Sequence, residues 1–277
     1  MKKLRRSARL VDMTQHLLAH PHTLTPLTLF AEQYGAAKSS ISEDLSIIKE
    51  AFEVQGVGQL KTVAGAAGGV KYIPQVKTEE ALHFMRELIE QLANPERLLP
   101  GGYLYMSDIL GNPATMAKIG KLFATAYADK NVDVVMTVET KGIPLAYATA
   151  MFLNVPVVIV RRDNKVTEGS VVSINYVSGS SKRIQTMSLA RRGLAEQSRV
   201  LIVDDFMKAG GTLRGMIDLL QEFRATVVGC GVLVETTADV SERLVDEYVS
   251  LAKLQDVDFK GKQIEIELGS FFENRGE

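Results

Sequence analysis

Two adjacent carboxylates, Asp204 and Asp205, stand between an apolar run, Val200 to Val203, and a loop that closes in Gly210, Gly211 and Thr212. An unbroken apolar run of this kind suits a buried strand of a parallel sheet. Beyond the loop, Met216, Leu219, Leu220 and Phe223 fall at i, i+3, i+4 and i+7, which predicts a helix. Glycines let backbone N–H groups approach an anion, and a helix N-terminus adds about half a positive charge there. Paired acids beside a phosphate need donors of their own, and the 2′ and 3′ hydroxyls of a ribose would supply them. VLIVDDFMKAGGT therefore reads as a ribose phosphate site. Without this context, the two acids would read as a solvated patch on an ordinary strand–turn–helix.

The elements that must position this stretch alternate along the chain. Helices are predicted over 119–127 and 143–153, and strands over 132–138, 155–160 and 227–234. This is the pattern of an α/β fold, a parallel sheet with helices on both faces and ligands at the strands' carboxyl ends. Two more loops fall at that edge. Glu139-Thr140-Lys141-Gly142 follows the strand 132–138, and Arg161, Arg162 and Lys165 follow the next strand. Arg162 reads equally well as a solvated surface cation.

Residues 163–192 are polar and rich in Ser and Gly in their middle and read as a loop, with Lys182 or Arg183 able to reach a phosphate. Tyr103 and Tyr105 follow a glycine turn. Residues 78–92 form an amphipathic helix with Met85, Leu88, Ile89 and Leu92 in register, suited to a linker or a dimer contact. Near the C-terminus Ile264, Ile266 and Leu268 alternate like a half-exposed strand. Phe271 and Phe272 could stack on a base, although near a chain end such residues more often pack.

The stretch DDFMKAGGT resembles the 5-phosphoribosyl 1-diphosphate (PRPP) motif of type I phosphoribosyltransferases. The resemblance implies that Asp204 and Asp205 hold the ribose diol. It implies too that Phe206, Met207, Lys208, Ala209, Gly210, Gly211 and Thr212 wrap the 5′-phosphate. It also places Thr140, Lys141 and Gly142 in a diphosphate loop, Arg161, Arg162 and Lys165 as diphosphate cations, and Tyr103 in the ligand site. The match departs at Lys208, where a small residue is usual, and at Ala209, where a hydroxyl residue is usual. Lys208 could pair with a phosphate, and Ala209 removes a donor.

The first 74 residues have another character. They carry nine Lys or Arg against six Asp or Glu, with Lys2, Lys3, Arg5 and Arg6 in an acid-free run. A basic arm on a small domain is a nucleic-acid footprint, and it can equally be a solubilising tail. Leu10, Met13 and Leu17 mark a first helix. Leu27, Phe30, Ala31 and Tyr34 mark a second, opened by Thr25 as N-cap and Pro26 in its first turn and closed by Gly35. Ser40-Ile41-Ser42-Glu43 reads as a capping box for a third helix with Ile41, Leu45, Ile48 and Phe52 buried. This is the helix-turn-helix plan, in which Lys38, Ser39, Ser40 and Ser42 would face DNA. Two apolar runs flank a glycine-rich tip as a hairpin wing carrying Lys61 and Lys71.

A length of 277 residues accommodates one large domain or two modest ones, here placed at 1–74 and 75–277. The one cysteine, Cys230, lies in an apolar run and excludes an intrachain disulfide or a cysteine zinc site. No stretch approaches 18 apolar residues and no signal sequence is evident, so a cytoplasmic protein without a membrane partner is expected. Phosphate-loop GxxxxGK[ST] and zinc-protease HExxH patterns are absent, and no metal site is expected.

A winged helix-turn-helix followed by a phosphoribosyltransferase-like parallel-sheet domain resembles the purine operon regulators of Gram-positive bacteria. The likeness runs through RRSARLVD, AKSSISEDL, LPGGYLY, TKGIPLAYA, RRDNKVTEG, INYVSGSS and DDFMKAGGT. It implies a homodimer that binds operator DNA of purine genes, most simply as a repressor, and releases it when PRPP binds. No cofactor is required, Mg²⁺ can accompany the diphosphate, and a guanosine alarmone can compete. Catalysis is expected to be lost. The alternatives are a working purine or xanthine phosphoribosyltransferase with an N-terminal regulatory module, or an N-terminal domain that binds protein.

Overall fold

The computed structural model describes residues 4–65, 68–100, 103–163, 169–177, 184–237, 242–258, 261 and 263–273. The chain divides into two compact units, residues 1–77 with 152–154 and residues 78–151 with 155–277.

The first unit runs α1 (Arg6–Ala19), β1 (Leu24–Pro26), α2 (Leu27–Tyr34), α3 (Lys38–Gln55), β2 (Gly58–Val63) and β3 (Gly69–Pro74). Met13 and Leu17 of α1, Phe30 and Tyr34 of α2, and Ile41, Leu45, Ile48 and Phe52 of α3 meet in one core with Leu60, Val70 and Tyr72. Each such side chain contributes roughly 1.5–3 kcal/mol on burial. The strands form an antiparallel sheet in the order β1-β3-β2, with Lys61 directly opposite Lys71 on the hairpin.

Two local expectations fail here. Thr25 and Pro26 are drawn into β1 by pairing with Val70 and Gly69, so Pro26 sits at the N-cap of α2 rather than inside it. The capping box at Ser40 is not used either. Gly35, at φ 57°, stops α2, and Ala36 N–H donates back to Ala31 O at 3.0 Å. That tight end lets α3 begin at Lys38 with Ala37 as N-cap, so Ser40 already lies within the first turn.

A buried ion pair joins α1 to α3. Arg9 Nε and Nη2 donate to Asp44 Oδ2 at 2.9 and 2.7 Å, and Arg6 Nε donates to Oδ1 at 2.8 Å. Both oxygens of a fully buried carboxylate are thereby satisfied.

The second unit continues with α4 (Thr78–Leu92), β4 (Leu98–Leu99), β5 (Tyr103–Leu104), α5 (Ser107–Leu110), α6 (Pro113–Ala126), β6 (Val134–Val138), α7 (Gly142–Leu153) and β7 (Val157–Val160). Then come β8 (Val171–Val177), β9 (Ile184–Ala190), β10 (Arg199–Met207), α8 (Gly211–Glu222), β11 (Thr226–Thr236), β12 (Val249–Asp258) and β13 (Gln263–Leu268). The main sheet has the order β13-β12-β11-β10-β6-β7 and is parallel except for β13 at its edge.

On one face, Leu213, Met216, Leu219 and Leu220 of α8 pack with Tyr176 and Met187 over Val200, Ile202 and Val232. Ring-sized space in the sheet is made by glycine. A Cβ at Gly229 would lie 2.2 Å from Tyr127 Cε1, and one at Gly231 2.8 Å from Phe123.

The polar stretch 163–192 is not the open loop its composition predicts. Its described parts pair as the antiparallel hairpin β8–β9, and Arg161 extends the ladder by exchanging backbone hydrogen bonds with Ser188. Tyr176 and Met187 anchor the hairpin against Gly215 of α8, where a Cβ would be 2.9 and 2.7 Å away. Ala81, Met85, Leu88 and Leu92, one face of α4, are buried, and α4 contacts β12 and β13 of its own unit. Phe271 and Phe272 pack edge to face with ring centres 4.8 Å apart.

Candidate functional site

The sheet places four chain segments around one cleft of about 460 Å³ at the carboxyl ends of β6, β7 and β10. Tyr103 and Met106 form one wall, residues 138–141 a second and Arg162 with Asp163 a third. The floor is the run from Asp204 to Leu213. Strand β10 carries on through both acids to Met207, four residues beyond Val203, because Asp204, Phe206 and Met207 stay in register with β11.

Asp204 is buried at 4% exposure, and Asp205 N–H donates to its Oδ1 at 3.0 Å. Loss of water raises the Asp204 carboxyl well above the ordinary range, and the neighbouring Asp205 raises it further. Asp205 is also raised by burial, against the pull of its hydrogen bond to Asp204 and of the Lys141 charge. Two such carboxyls hold a proton between them more readily than free aspartates do. They are suited to hydroxyl groups that can donate to them.

The glycine loop has the geometry of an anion cradle. Gly210 takes φ 79°, a left-handed conformation that L side chains rarely adopt, and so forms the N-cap of α8. The next helical bond is Arg214 N–H to Gly210 O at 2.9 Å, so the first-turn amides of residues 211–213 have no intrahelical acceptor. Those amides and the helix dipole favour negative charge at the cleft floor.

The cleft brings together Tyr103, Thr140, Lys141, Arg162 and all of Asp204 to Thr212. Other expected ligand contacts are placed differently. Gly142 lies beneath the floor, where a Cβ would be 2.1 Å from Thr137 Oγ1 and 3.1 Å from Asp204 Oδ1. It lets α7 start against the acid rather than lining the cavity. Arg161 does not line the cleft, because its Nη1 pairs with Glu139 Oε2 at 3.1 Å. Met207 and Ala209 are buried at 1% and 4% exposure, so they offer backbone rather than side chain. Lys165, Lys182 and Arg183 lie outside the described residues.

Glu139 was missed as a site residue. Its carboxylate accepts from Arg161 and, at 2.8 Å, from Arg162 N–H, so it orders the cationic wall. An acid directly after a strand, facing two arginines after the next, was the available signal. The rings of Tyr103 and Phe206, 5.9 Å apart at the rim, were visible in sequence only as separate aromatics. Among the described residues, no group of three or more His, Cys, Asp or Glu side chains is arranged to hold a metal ion.

In the first unit, Lys38, Ser39 and Ser42 are exposed at the start of α3 and Ser40 is half-buried there. Lys61 is exposed and Lys71 half-buried on the β2–β3 hairpin. Arg5 is exposed, whereas Arg6 is tied to Asp44 and cannot present its Nε to a phosphate without breaking that bond. Lys2 and Lys3 lie outside the described residues. No helix among the described residues is long and apolar enough to cross a membrane.

Residues 5–74 match the family described as bacterial purine repressor, N-terminal, and residues 106–267 match the phosphoribosyl transferase domain. The chain is 66% identical over 269 residues to the purine biosynthesis transcriptional repressor PurR of Bacillus subtilis, covering 97% of this chain and 94% of that one. It is 47% identical over 272 residues to the purine biosynthesis transcriptional activator PurR of Lactococcus lactis, covering 98% and 100%. The fold of adenine phosphoribosyltransferase from Thermoanaerobacter pseudethanolicus superimposes with a TM-score of 0.53 at 21% identity, over 60% of this chain and 98% of that one. With a purine-repressor N-terminal domain, a phosphoribosyltransferase domain and full-length likeness to such regulators, the chain belongs to the PurR family of purine biosynthesis transcriptional regulators.

Proposed function

We propose that the protein binds operator DNA of purine biosynthesis genes as a repressor, and that PRPP bound in the cleft lowers its affinity for that DNA. The observation that carries the reading is the pair of buried Asp204 and half-buried Asp205 beside the glycine loop at the start of α8, within a chain whose first unit is a winged helix. The acids would accept from the ribose diol. The amides of 210–212 would hold the 5′-phosphate, and Thr140, Lys141 and Arg162 would face the diphosphate. Any Mg²⁺ would ride on the ligand's diphosphate.

Control then follows from linkage. If PRPP binds the DNA-free form better, occupancy weakens DNA binding by the same factor, typically about 1–3 kcal/mol. A nucleotide bearing a ribose diphosphate, such as a guanosine alarmone, would compete for the cleft, with the Tyr103 and Phe206 rings available to its base. The protein is proposed to act in the cytoplasm as a homodimer. Tyr147 and Met151, exposed one turn apart on α7, offer an apolar contact for a second copy.

Catalysis is proposed to be absent, since the loop carries Lys208 and Ala209 where the resembling enzymes use a small residue and a hydroxyl. Turnover of PRPP with adenine, guanine, hypoxanthine or xanthine at enzyme-like rates would contradict this part. The sensing role is tested by Asp204→Ala combined with Asp205→Ala. The double variant should bind operator DNA normally and no longer release it when PRPP is added. Release that persists would remove the acids from the account.

A further inference from the structure

A buried polar cluster lies behind the glycine loop, on the side away from the cleft, and the proposed function leaves it without a role. Glu235, near the end of β11, is 2% exposed. Its carboxylate accepts from Ser250 Oγ at 2.6 Å, Tyr248 Oη at 2.6 Å and Arg243 Nη1 at 2.8 Å. Arg243 Nη2 donates to Thr236 O at 2.9 Å, and the guanidinium sits 5.3 Å from the centre of the Tyr248 ring. Ser250 is held in turn by Ser270, through hydrogen bonds of 3.0 Å in each direction. The Arg243 and Glu235 side chains are 14% and 3% exposed. A buried ion pair of this kind contributes little net stability over an apolar filling, so its use is better sought in what it fixes in place.

What it fixes is the next two residues. Leu244 N–H donates to Ala209 O at 3.0 Å. Val245 is buried with Met207 and Leu213, and it lies 3.6 Å from the point a Gly210 Cβ would occupy. Residues 243–245 therefore run as a strap along the back of the loop. A trans peptide is planar, with its carbonyl and its N–H on opposite sides. Tying the Ala209 carbonyl to the strap thus turns the Gly210 N–H the other way, toward the cleft that Gly210 lines.

We propose that Arg243 is a positioning residue for phosphate binding. Its ion pair with Glu235 clips the strap behind the loop, and the Leu244–Ala209 hydrogen bond then sets the Gly210 amide that receives the ligand's 5′-phosphate. This rests on the ribose phosphate reading of the cleft. It adds a residue, remote from the ligand, that acts on the 5′-phosphate end of the site, because the strap meets the loop at Ala209 and Gly210.

The test titrates ribose 5-phosphate and, separately, inorganic pyrophosphate into the full chain and into Arg243→Met and Arg243→Lys by calorimetry. Arg243→Met should weaken ribose 5-phosphate about tenfold, on the order of one lost hydrogen bond to a charged group. Pyrophosphate affinity should stay unchanged. Arg243→Lys should recover part of the loss, since an ammonium can pair with Glu235 but cannot also reach Thr236 O. Equal weakening of both probes, or of neither, would overturn the proposal while leaving the cleft's assignment intact. A wild-type chain that binds neither probe would overturn the ribose phosphate reading as well. If Arg243→Met does not fold, the lysine variant and Tyr248→Phe, which removes one donor to Glu235, carry the same comparison.

Discussion

The backbone N–H of Asp205 donates to Oδ1 of Asp204 at 3.0 Å, so two carboxyls that burial drives toward the neutral form lie side by side at the end of β10. Their pKa values rise on folding. Between the ordinary carboxylate range and those raised values, the folded chain holds protons that the unfolded chain has released. Stability contributed by this pair is therefore present at low pH and lost as pH rises through that window. Asp204→Asn removes the charge and keeps the shape. It should stabilise the protein by about 1 kcal/mol at pH 8, a rise of ~2–4 °C in melting temperature for a unit of this size. The gain should shrink toward pH 4. Melting curves across that range check it, and a gain that does not vary with pH would refute the titration.

The same pair links ligand binding to protons. A ribose diol donates best to ionised acids, so PRPP binding should expel the proton that the empty pair retains. Affinity should rise with pH across the pair's titration, and calorimetry in buffers of different ionisation enthalpy should show proton release. Binding with no buffer dependence would argue that the acids do not face the diol.

Arg9 and Asp44 make a different prediction, one about folding rather than sensing. Asp44 is fully buried and takes hydrogen bonds from both Arg9 and Arg6. Arg9→Ala leaves that carboxylate with one exposed partner and should destabilise the N-terminal unit by about 3–5 kcal/mol. Denaturant unfolding of residues 1–77, or of the full chain followed by a probe in that unit, measures the loss. A loss below ~1 kcal/mol would mean that Arg6 alone suffices.

The basic arm should act through phosphates. Deleting Lys2 to Arg5 and keeping Arg6 for Asp44 should lower the slope of log affinity against log salt by about 1–3, near 0.9 for each DNA phosphate that the arm no longer neutralises. Operator binding measured from low to moderate salt reads this directly. An unchanged slope would reduce the arm to a solubilising tail.

Gly229→Ala tests the packing that holds the sheet against α6. The added methyl would lie 2.2 Å from the Tyr127 ring, whose hydroxyl is fixed by Cys230 O at 2.5 Å and so cannot readily swing away. A destabilisation of about 1–3 kcal/mol is expected. The measurement is the melting temperature, and no change would show that the ring finds another position.

Periodicity made the elements legible wherever one interaction dominates. The buried stripe Ile41, Leu45, Ile48 and Phe52, the run Val200 to Val203 and the α8 pattern all follow from burial on one face. Local signals failed where tertiary pairing competed with them. Thr25-Pro26 has the chemistry of a helix start but is used by a strand ladder, and Ser40 has the chemistry of a cap but lies inside the helix. The β8–β9 hairpin was hidden because the Ser- and Gly-rich middle of the stretch outweighed the apolar residues of the two strands that flank it. Its anchors, Tyr176 and Met187, are few and far apart in sequence, and the space they occupy is made by Gly215 in α8. In the site, the glycine loop and the acid pair could be read directly. That Arg161 turns to Glu139, and that Arg243 supports the loop from behind, depends on contacts between segments that no local pattern encodes.

The central claim is tested most directly by titrating PRPP into the purified protein bound to a fluorescent purine-gene operator at fixed salt, following anisotropy. The account predicts release of the DNA, with an operator dissociation constant raised roughly 5- to 150-fold at saturation. DNA that stays bound at every PRPP concentration, when calorimetry shows the ligand to be bound, would contradict it.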